Sequence, residues 1–394
     1  MGKIITRTVL LVSFISLFTD IASEMLYPVM PVYLRSIGFS VLLIGILEGI
    51  AEATAGISKG YFGNFSDRLS SRVPFVRWGY ALSAISKPMM AAFVFPLWIF
   101  LARTLDRLGK GVRTGARDAM LSAETSPENK GKVFGFHRAM DTVGAAIGPF
   151  AALLYLYLYP GRYRLLFILA VVPGIIAILL TFFLKEKKTS KRPARSPGFF
   201  SFFSYWKRSS RYFRFLVAGL LAFTLFNSSD AFLLLAVKNQ GLSDQVMIGL
   251  YIFYNLVYAL LAFPIGILAD RIGLKRMLVA GLAVFALVYF FMGFAFSLWQ
   301  FAILFGFYSL YAASTEGISK ALISNIAAKD ETATAIGFYT SLASVMTLLA
   351  SSLGGLLWFS LGPRGMFMIS GTGVGIVVIY MLVIRNSMSR QLVS

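Results

Sequence analysis

The sequence predicts an all-α integral membrane protein, with twelve membrane-spanning helices arranged as two pseudo-symmetric six-helix bundles. Three observations carry this. First, 58% of the 394 residues are hydrophobic and only 14% charged, against about a quarter charged in a typical soluble chain; the mean hydropathy is +0.75. The apolar residues fall in blocks of about 20, the length that crosses a bilayer as a helix. Second, Lys and Arg concentrate in alternate loops. Third, the two halves repeat each other at a nearly constant offset. Helices are required because backbone groups in lipid must be satisfied within the segment, and the alternation of a membrane β-barrel is absent.

Taken in order, the apolar runs and their Gly, Pro and charged breaks place spans at about 8–34, 41–62, 73–95, 96–118, 132–158 and 163–184, then about 213–237, 246–269, 277–295, 297–323, 334–358 and 366–385. Met1 to Arg7 lead into the first span without a small-residue cleavage pattern, so that span is expected to stay in the membrane. Loops on one side, such as Val94-Phe95-Pro96 and Ser297-Leu298-Trp299, carry almost no charge. Those on the other side hold Arg68, Arg72, Arg77, Lys130, Lys132, Arg271, Lys275, Arg276 and Lys329. The positive-inside rule therefore puts both termini in the cytoplasm. The same rule, with attraction to anionic inner-leaflet lipid, accounts for the net charge of +20 without nucleic acid as a partner.

The domain reading is an N-terminal bundle over 1–184, a basic cytoplasmic linker over 185–212 and a C-terminal bundle over 213–394. Residues 185–214 hold ten Lys and Arg against one acid, Glu186. The aromatic-basic stretch from Phe199 to Phe213 reads either as an interfacial helix or as a disordered linker. The duplication shows in Gly38 and Gly241, Gly63 and Gly266, Asp67 and Asp270, and Arg68 and Arg271, each pair 203 residues apart. Leu97-Trp98 returns as Leu298-Trp299 and Gly135-Phe136 as Gly337-Phe338. A parallel repeat of this kind puts a binding site at mid-membrane.

Gly266-Ile-Leu-Ala-Asp270-Arg271-Ile-Gly273-Leu-Lys275-Arg276 resembles the signature loop of the major facilitator superfamily. Gly63-Asn-Phe-Ser-Asp67-Arg68-Leu-Ser-Ser-Arg72 is its partner, with Ser70 where a glycine is usual. The resemblance implies the major facilitator fold, transport by alternating access, and a cytoplasmic latch. Gly63 and Gly266 let helices approach closely, and Asp67 can accept hydrogen bonds from a helix N-terminus. Arg68 and Arg72 are expected to pair with carboxylates at helix ends, Asp118 first among them. Gly144-Ala-Ala-Ile-Gly148-Pro149 resembles an element of the drug:proton antiporter branch, with Pro149 kinking the helix. That resemblance implies export by exchange.

Ionisable residues inside spans are costly and are functional candidates. Asp20 and Glu24 lie on span one, Glu48, Glu52 and Lys59 on span two, and Lys87 on span three. Arg103, Asp106, Arg107, Lys110, Arg113 and Arg117 lie on span four, and His137, Arg138 and Asp141 on span five. Positions 103, 106, 110, 113 and 117 advance by three and four and share one helix face. The family's antiporters place an arginine on span four; Arg103 and Arg107 both fit. The second half offers Asn227, Asp230 and Glu316. A desolvated carboxylate near an arginine can gain and lose a proton, so Asp20, Glu24, Glu52 and Asp106 are candidates for proton coupling, beside the plainer reading of fixed ion pairs.

The expected function is a proton-coupled exporter of a small organic solute, acting as a monomer in the cytoplasmic membrane of a prokaryote. No cofactor is expected beyond the proton gradient, and no metal. Proton-coupled uptake of an anionic or zwitterionic solute is one alternative. Metal-ion export through the acids of spans one and two, and a transporter-like receptor, are others. One histidine and no cysteine argue against an enzyme.

Overall fold

The computed structural model describes residues 5–27, 29–30, 33–34, 37–39, 41–159, 161–186 and 198–388, with the backbone alone at 41–46, 48–49, 231, 244–245, 248 and 384–388. All regular structure among them is helical, and helix occupies each of the twelve expected spans. In the first half these are α1 (Arg7–Glu24), α2 (Val41–Arg68), α3 (Val73–Ala92), α4 (Pro96–Ala123) and α5 (Lys130–Leu158). The sixth span is built of two pieces, α6 (Tyr163–Leu169) and α7 (Val171–Thr181). The second half begins with another broken span, α8 (Arg211–Phe226) and α9 (Ala231–Asn239). Then follow α10 (Asp244–Ile272), α11 (Leu274–Met292), α12 (Leu298–Ile326) and α13 (Thr332–Met388). Helix α13 contains spans eleven and twelve, joined at Gly362, whose φ of 74° takes the chain out of the helix ahead of Pro363.

Local signals set the ends. Thr6 caps α1, its hydroxyl accepting from the Val9 amide at 3.3 Å. Ser210 does the same for α8 through Phe213 at 3.1 Å. Proline opens α4, where its missing N–H costs nothing. Among the described residues, five segments are long and apolar enough to cross a membrane on composition alone: Pro127–Leu158, Tyr163–Thr181, Gly249–Ile272, Leu274–Met292 and Thr332–Val383. Helix α4 does not meet that measure because it carries Arg103, Asp106, Arg107, Lys110, Arg113, Arg117 and Asp118. Outward faces are apolar, with Phe359 90% and Leu260 75% exposed, as suits lipid.

Two compact units emerge. One comprises Met1–Pro127, Phe136–Lys207 and Ala327–Ser344; the other comprises Glu128–Gly135, Arg208–Ile326 and Val345–Ser394. Each thus follows one half of the sequence but takes in a short segment from the other. In the first, α4 lies between α2 and α3. Gly109 abuts Gly79 and Ser83 on α3, and Gly111 abuts Ser58 and Ala55 on α2. In the second, α12 holds the matching place between α10 and α11. There Ser309 donates to the Tyr254 carbonyl at 2.9 Å, and Gly281 abuts Ser314 and Thr315.

The sequence leaves the linker open to two readings, an interfacial helix or a disordered segment. Its described part is a 3-10 turn, Ser201–Ser204, and one α-turn, Tyr205–Arg208, which pack onto α2. Phe202 is buried against Gly60, Ser201 accepts from Asn64 at 2.8 Å, and Trp206 stacks on Phe338 at 5.9 Å. Phe202 and Tyr205 are buried, while Phe199, Phe200 and Phe203 stay exposed. The basic stretch 187–197 lies outside the described residues.

Candidate functional site

Helix α4 keeps its charges on the predicted face, and its neighbours divide them into two chemical sets. The first set is packed. Asp106 receives the Lys87 ammonium at 2.7 Å and has Arg103 at 3.6 Å; Lys87 also donates to Ser23 at 3.1 Å. Arg113 donates to Ser83 at 2.7 Å with its guanidinium 4.5 Å over the Tyr80 ring. Arg117 holds Asp118 at 2.9 Å and donates to Ser16 at 3.0 Å. These groups are buried, and mutual pairing makes their burial tolerable.

The second set is open. Arg107 reaches Glu52 at 3.1 Å, and the Glu52 side chain remains 51% exposed. Lys110, one turn along, is exposed. Asp20 and Glu24 are half-buried on α1. Of the two span-four arginines, Arg103 therefore belongs to the packed set and Arg107 to the open one. Around Asp141, His137 lies at 3.6 Å and Arg138 at 3.7 Å. The Glu48 side chain lies outside the described residues.

Helix α5 touches α1 where the open carboxylates sit. A Cβ on Gly144 would come within 2.6 Å of the Leu17 carbonyl and 3.0 Å of Asp20 Cβ. One on Gly148 would come within 2.7 Å of the Met25 amide and 3.0 Å of the Glu24 carbonyl carbon. Pro149 follows inside the helix. The two glycines thus bring a backbone flush against the stretch that carries Asp20 and Glu24.

The signature loops make matching contacts, one in each unit. Asp67 accepts from the Thr334 amide at 2.7 Å and its hydroxyl at 2.9 Å, at the start of α13. Asp270 accepts from the Gly131 and Lys132 amides at 2.7 and 2.8 Å, at the start of α5. Each carboxylate meets the positive end of a helix. Gly63 packs on Ala333 and Gly337, and Gly266 on Gly131 and Gly135. Arg72 donates to the Ala119 and Lys329 carbonyls at 2.9 and 3.3 Å, with Asp67 at 3.7 Å. Arg68 is exposed and donates to Asn64 at 3.4 Å. Arg271 is exposed, and Lys275 is half-buried.

Asp118 therefore corrects the expectation for the latch, because it pairs with neither Arg68 nor Arg72. It is fully buried on α4, where the adjacent Arg117 can reach it and the arginines of the turn cannot. Sequence reasoning also missed Glu186. Its carboxylate accepts from the Arg72 and Val73 amides at 3.0 and 2.7 Å and caps α3. The available signal was its position as the one acid in a basic segment.

In the second half, Asp230 accepts from the Tyr308 hydroxyl at 2.7 Å, and Asn227 donates to the Tyr311 hydroxyl at 3.0 Å. Both lie at the break between α8 and α9. Glu316 is half-buried on α12. Sequence reasoning did not single out these tyrosines, although Tyr308 and Tyr311 stand three apart on one helix face. No three of the described His, Asp and Glu residues come together to hold a metal ion.

With the geometry in hand, comparison with known proteins is informative. The profile of the Major Facilitator Superfamily matches residues 12–254 and again 239–392. An uncharacterized MFS-type transporter of Methanocaldococcus jannaschii is 32% identical over 362 residues, covering 90% of this chain and 89% of its own. Multidrug resistance protein MdtG of Dickeya zeae is 27% identical over 399 residues, covering 96% and 94%. The crystal structure of the human organic anion transporter MFSD10 superposes with a TM-score of 0.79 at 16% identity, covering 95% of this chain and 99% of that one. At that identity the likeness speaks to the fold.

Proposed function

The chain belongs to the major facilitator superfamily, and on that premise we propose that it is a proton-coupled exporter of a small organic solute. A multi-pass membrane transporter is the coarser statement; direction and coupling are the proposal. One observation carries it. The antiporter-like glycines Gly144 and Gly148 pack against the part of α1 that bears Asp20 and Glu24, so a change of charge on α1 is mechanically adjacent to α5. The relative named for multidrug resistance supports the outward direction.

In this reading the packed set of Lys87, Arg103, Asp106, Arg113, Arg117 and Asp118 orders the helices. The open set of Asp20, Glu24, Glu52, Arg107 and Lys110 binds protons and solute charge. The proton gradient is the energy source and no resident cofactor takes part. The protein works as a monomer in a prokaryotic cytoplasmic membrane, its basic loops against anionic lipid and both termini inside. Asp67 and Asp270 latch the cytoplasmic ends of the helices, and alternating access requires those bonds to break and re-form.

The test is reconstitution in vesicles loaded with a pH dye, with solutes screened under an imposed proton gradient. A transported solute should move protons in the opposite direction. Asp20→Asn and Glu24→Gln should abolish coupled flux and spare counterflow exchange. Retained uphill transport in both variants sinks the coupling assignment, and proton movement in the same direction as solute establishes uptake instead.

A further inference from the structure

We propose that Asp230 and the tyrosines around it form a binding site for the positively charged group of an organic cation. The site lies within the second unit. It deepens the transport reading, and rests on that reading only for the claim that the bound cation is cargo.

Three observations converge. The first is an unbalanced charge. Asp230 is half-buried and takes one hydrogen bond, from Tyr308 at 2.7 Å. No Lys, Arg or His pairs with it among the described residues. Every intramembrane carboxylate of α4 and α5 has a cation within 4 Å; Asp230 does not. A lone carboxylate inside a membrane is costly, and a cationic ligand supplies the missing partner.

The second observation is the wall. The Tyr308 ring lies 5.1 Å from Tyr254 and 5.1 Å from Tyr311, with Tyr289 at 6.3 Å. Aromatic faces attract cations through the ring quadrupole and shed water readily. They offer an anionic ligand nothing comparable, and among the described residues no guanidinium or ammonium is in contact with Asp230 to receive one.

The third is the backbone. The seventh span is unwound at Asn227-Ser228-Ser229-Asp230, between α8 and α9. Irregular backbone at membrane depth persists where it lines a polar site. Here it places Asp230 beside Asn227, whose amide nitrogen donates to Tyr311 at 3.0 Å and whose side-chain carbonyl oxygen is buried with no hydrogen-bond partner among the described residues. That oxygen is an acceptor for an N–H of the ligand. Carboxylate, amide oxygen and aromatic faces together select ammonium-type and larger delocalised organic cations.

The experiment is equilibrium binding to the purified full-length protein in detergent, read by calorimetry. The probes are tetraphenylphosphonium, a permanently charged aromatic cation, and neutral triphenylphosphine oxide. Tetraphenylphosphonium should bind, and Asp230→Asn should weaken it at least tenfold. Asp230→Glu should stay within about threefold of the native chain, and Tyr308→Phe should lose threefold or more. Triphenylphosphine oxide should bind weakly to native and variant protein alike. The proposal is overturned if Asp230→Asn binds the cation as the native chain does, or if the neutral probe matches the cation. Should Asp230→Asn not fold, unchanged binding in Tyr308→Phe overturns it. Because no flux is measured, a failed proton-coupling experiment leaves this result standing, and the reverse.

Discussion

Lys87 shows how much a single residue holds in place. It satisfies Asp106 at 2.7 Å while fully buried, so Lys87→Met leaves a carboxylate with only the longer contact to Arg103. Breaking one partner of a buried pair costs about 3–5 kcal/mol, and the variant should show a markedly lower melting temperature in detergent; an unchanged value contradicts the packed-pair role. Ser70 offers the opposite case. It adopts φ 51° where its repeat counterpart Gly273 has φ 101°, a region that costs a residue with a Cβ about 1–2 kcal/mol. Ser70→Gly should relieve that strain, partly offset by greater freedom of the unfolded chain, for a net gain of about 0.5 kcal/mol in thermal unfolding. Both residues illustrate what the sequence made legible. The stripe on span four followed from spacing alone, since 103, 106, 110, 113 and 117 must share a face. Its division into packed and open charges did not follow, because that depends on which neighbouring helix brings Lys87 or Ser83. The substituted loop glycine was legible, but its backbone conformation was not.

Among elements, the contacts of α5 carry the sharpest expectation. Gly144→Leu places a branched side chain where Asp20 Cβ and the Leu17 carbonyl already stand, so α5 must move off α1. Solute-coupled proton flux should fall at least tenfold while the protein still purifies as a folded species; native flux in this variant removes α5 from the coupling argument. Gly63→Ala meets the Ala333 carbonyl directly and should destabilise by about 1–3 kcal/mol, read as earlier unfolding. The duplicated loops were visible in the sequence because both the offset and the motif survive. That Asp67 would meet a helix N-terminus was an expectation from charge. That the helix would be α13, through Thr334, required long-range contact information. The linker was legible only as a pair of alternatives: its aromatic-basic composition suits a membrane surface, and that Gly60 opens a place on α2 for Phe202 depends on a contact far apart in sequence.

On the scale of the whole chain, the units do not coincide with the halves of the sequence. Residues 327–344 join the first unit and 128–135 the second, so either half made alone lacks the donors for its own latch. Residues 1–184 and 213–394 expressed as separate chains should each aggregate when alone and co-purify when made together; a monodisperse single half would contradict this dependence. Helix α1 ends at Glu24 and α8 at Phe226, 202 residues apart and within one residue of the offset that relates the two loops. A defect shared at equivalent places is most simply an inheritance: the ancestral six-helix unit was already cracked there before it was copied.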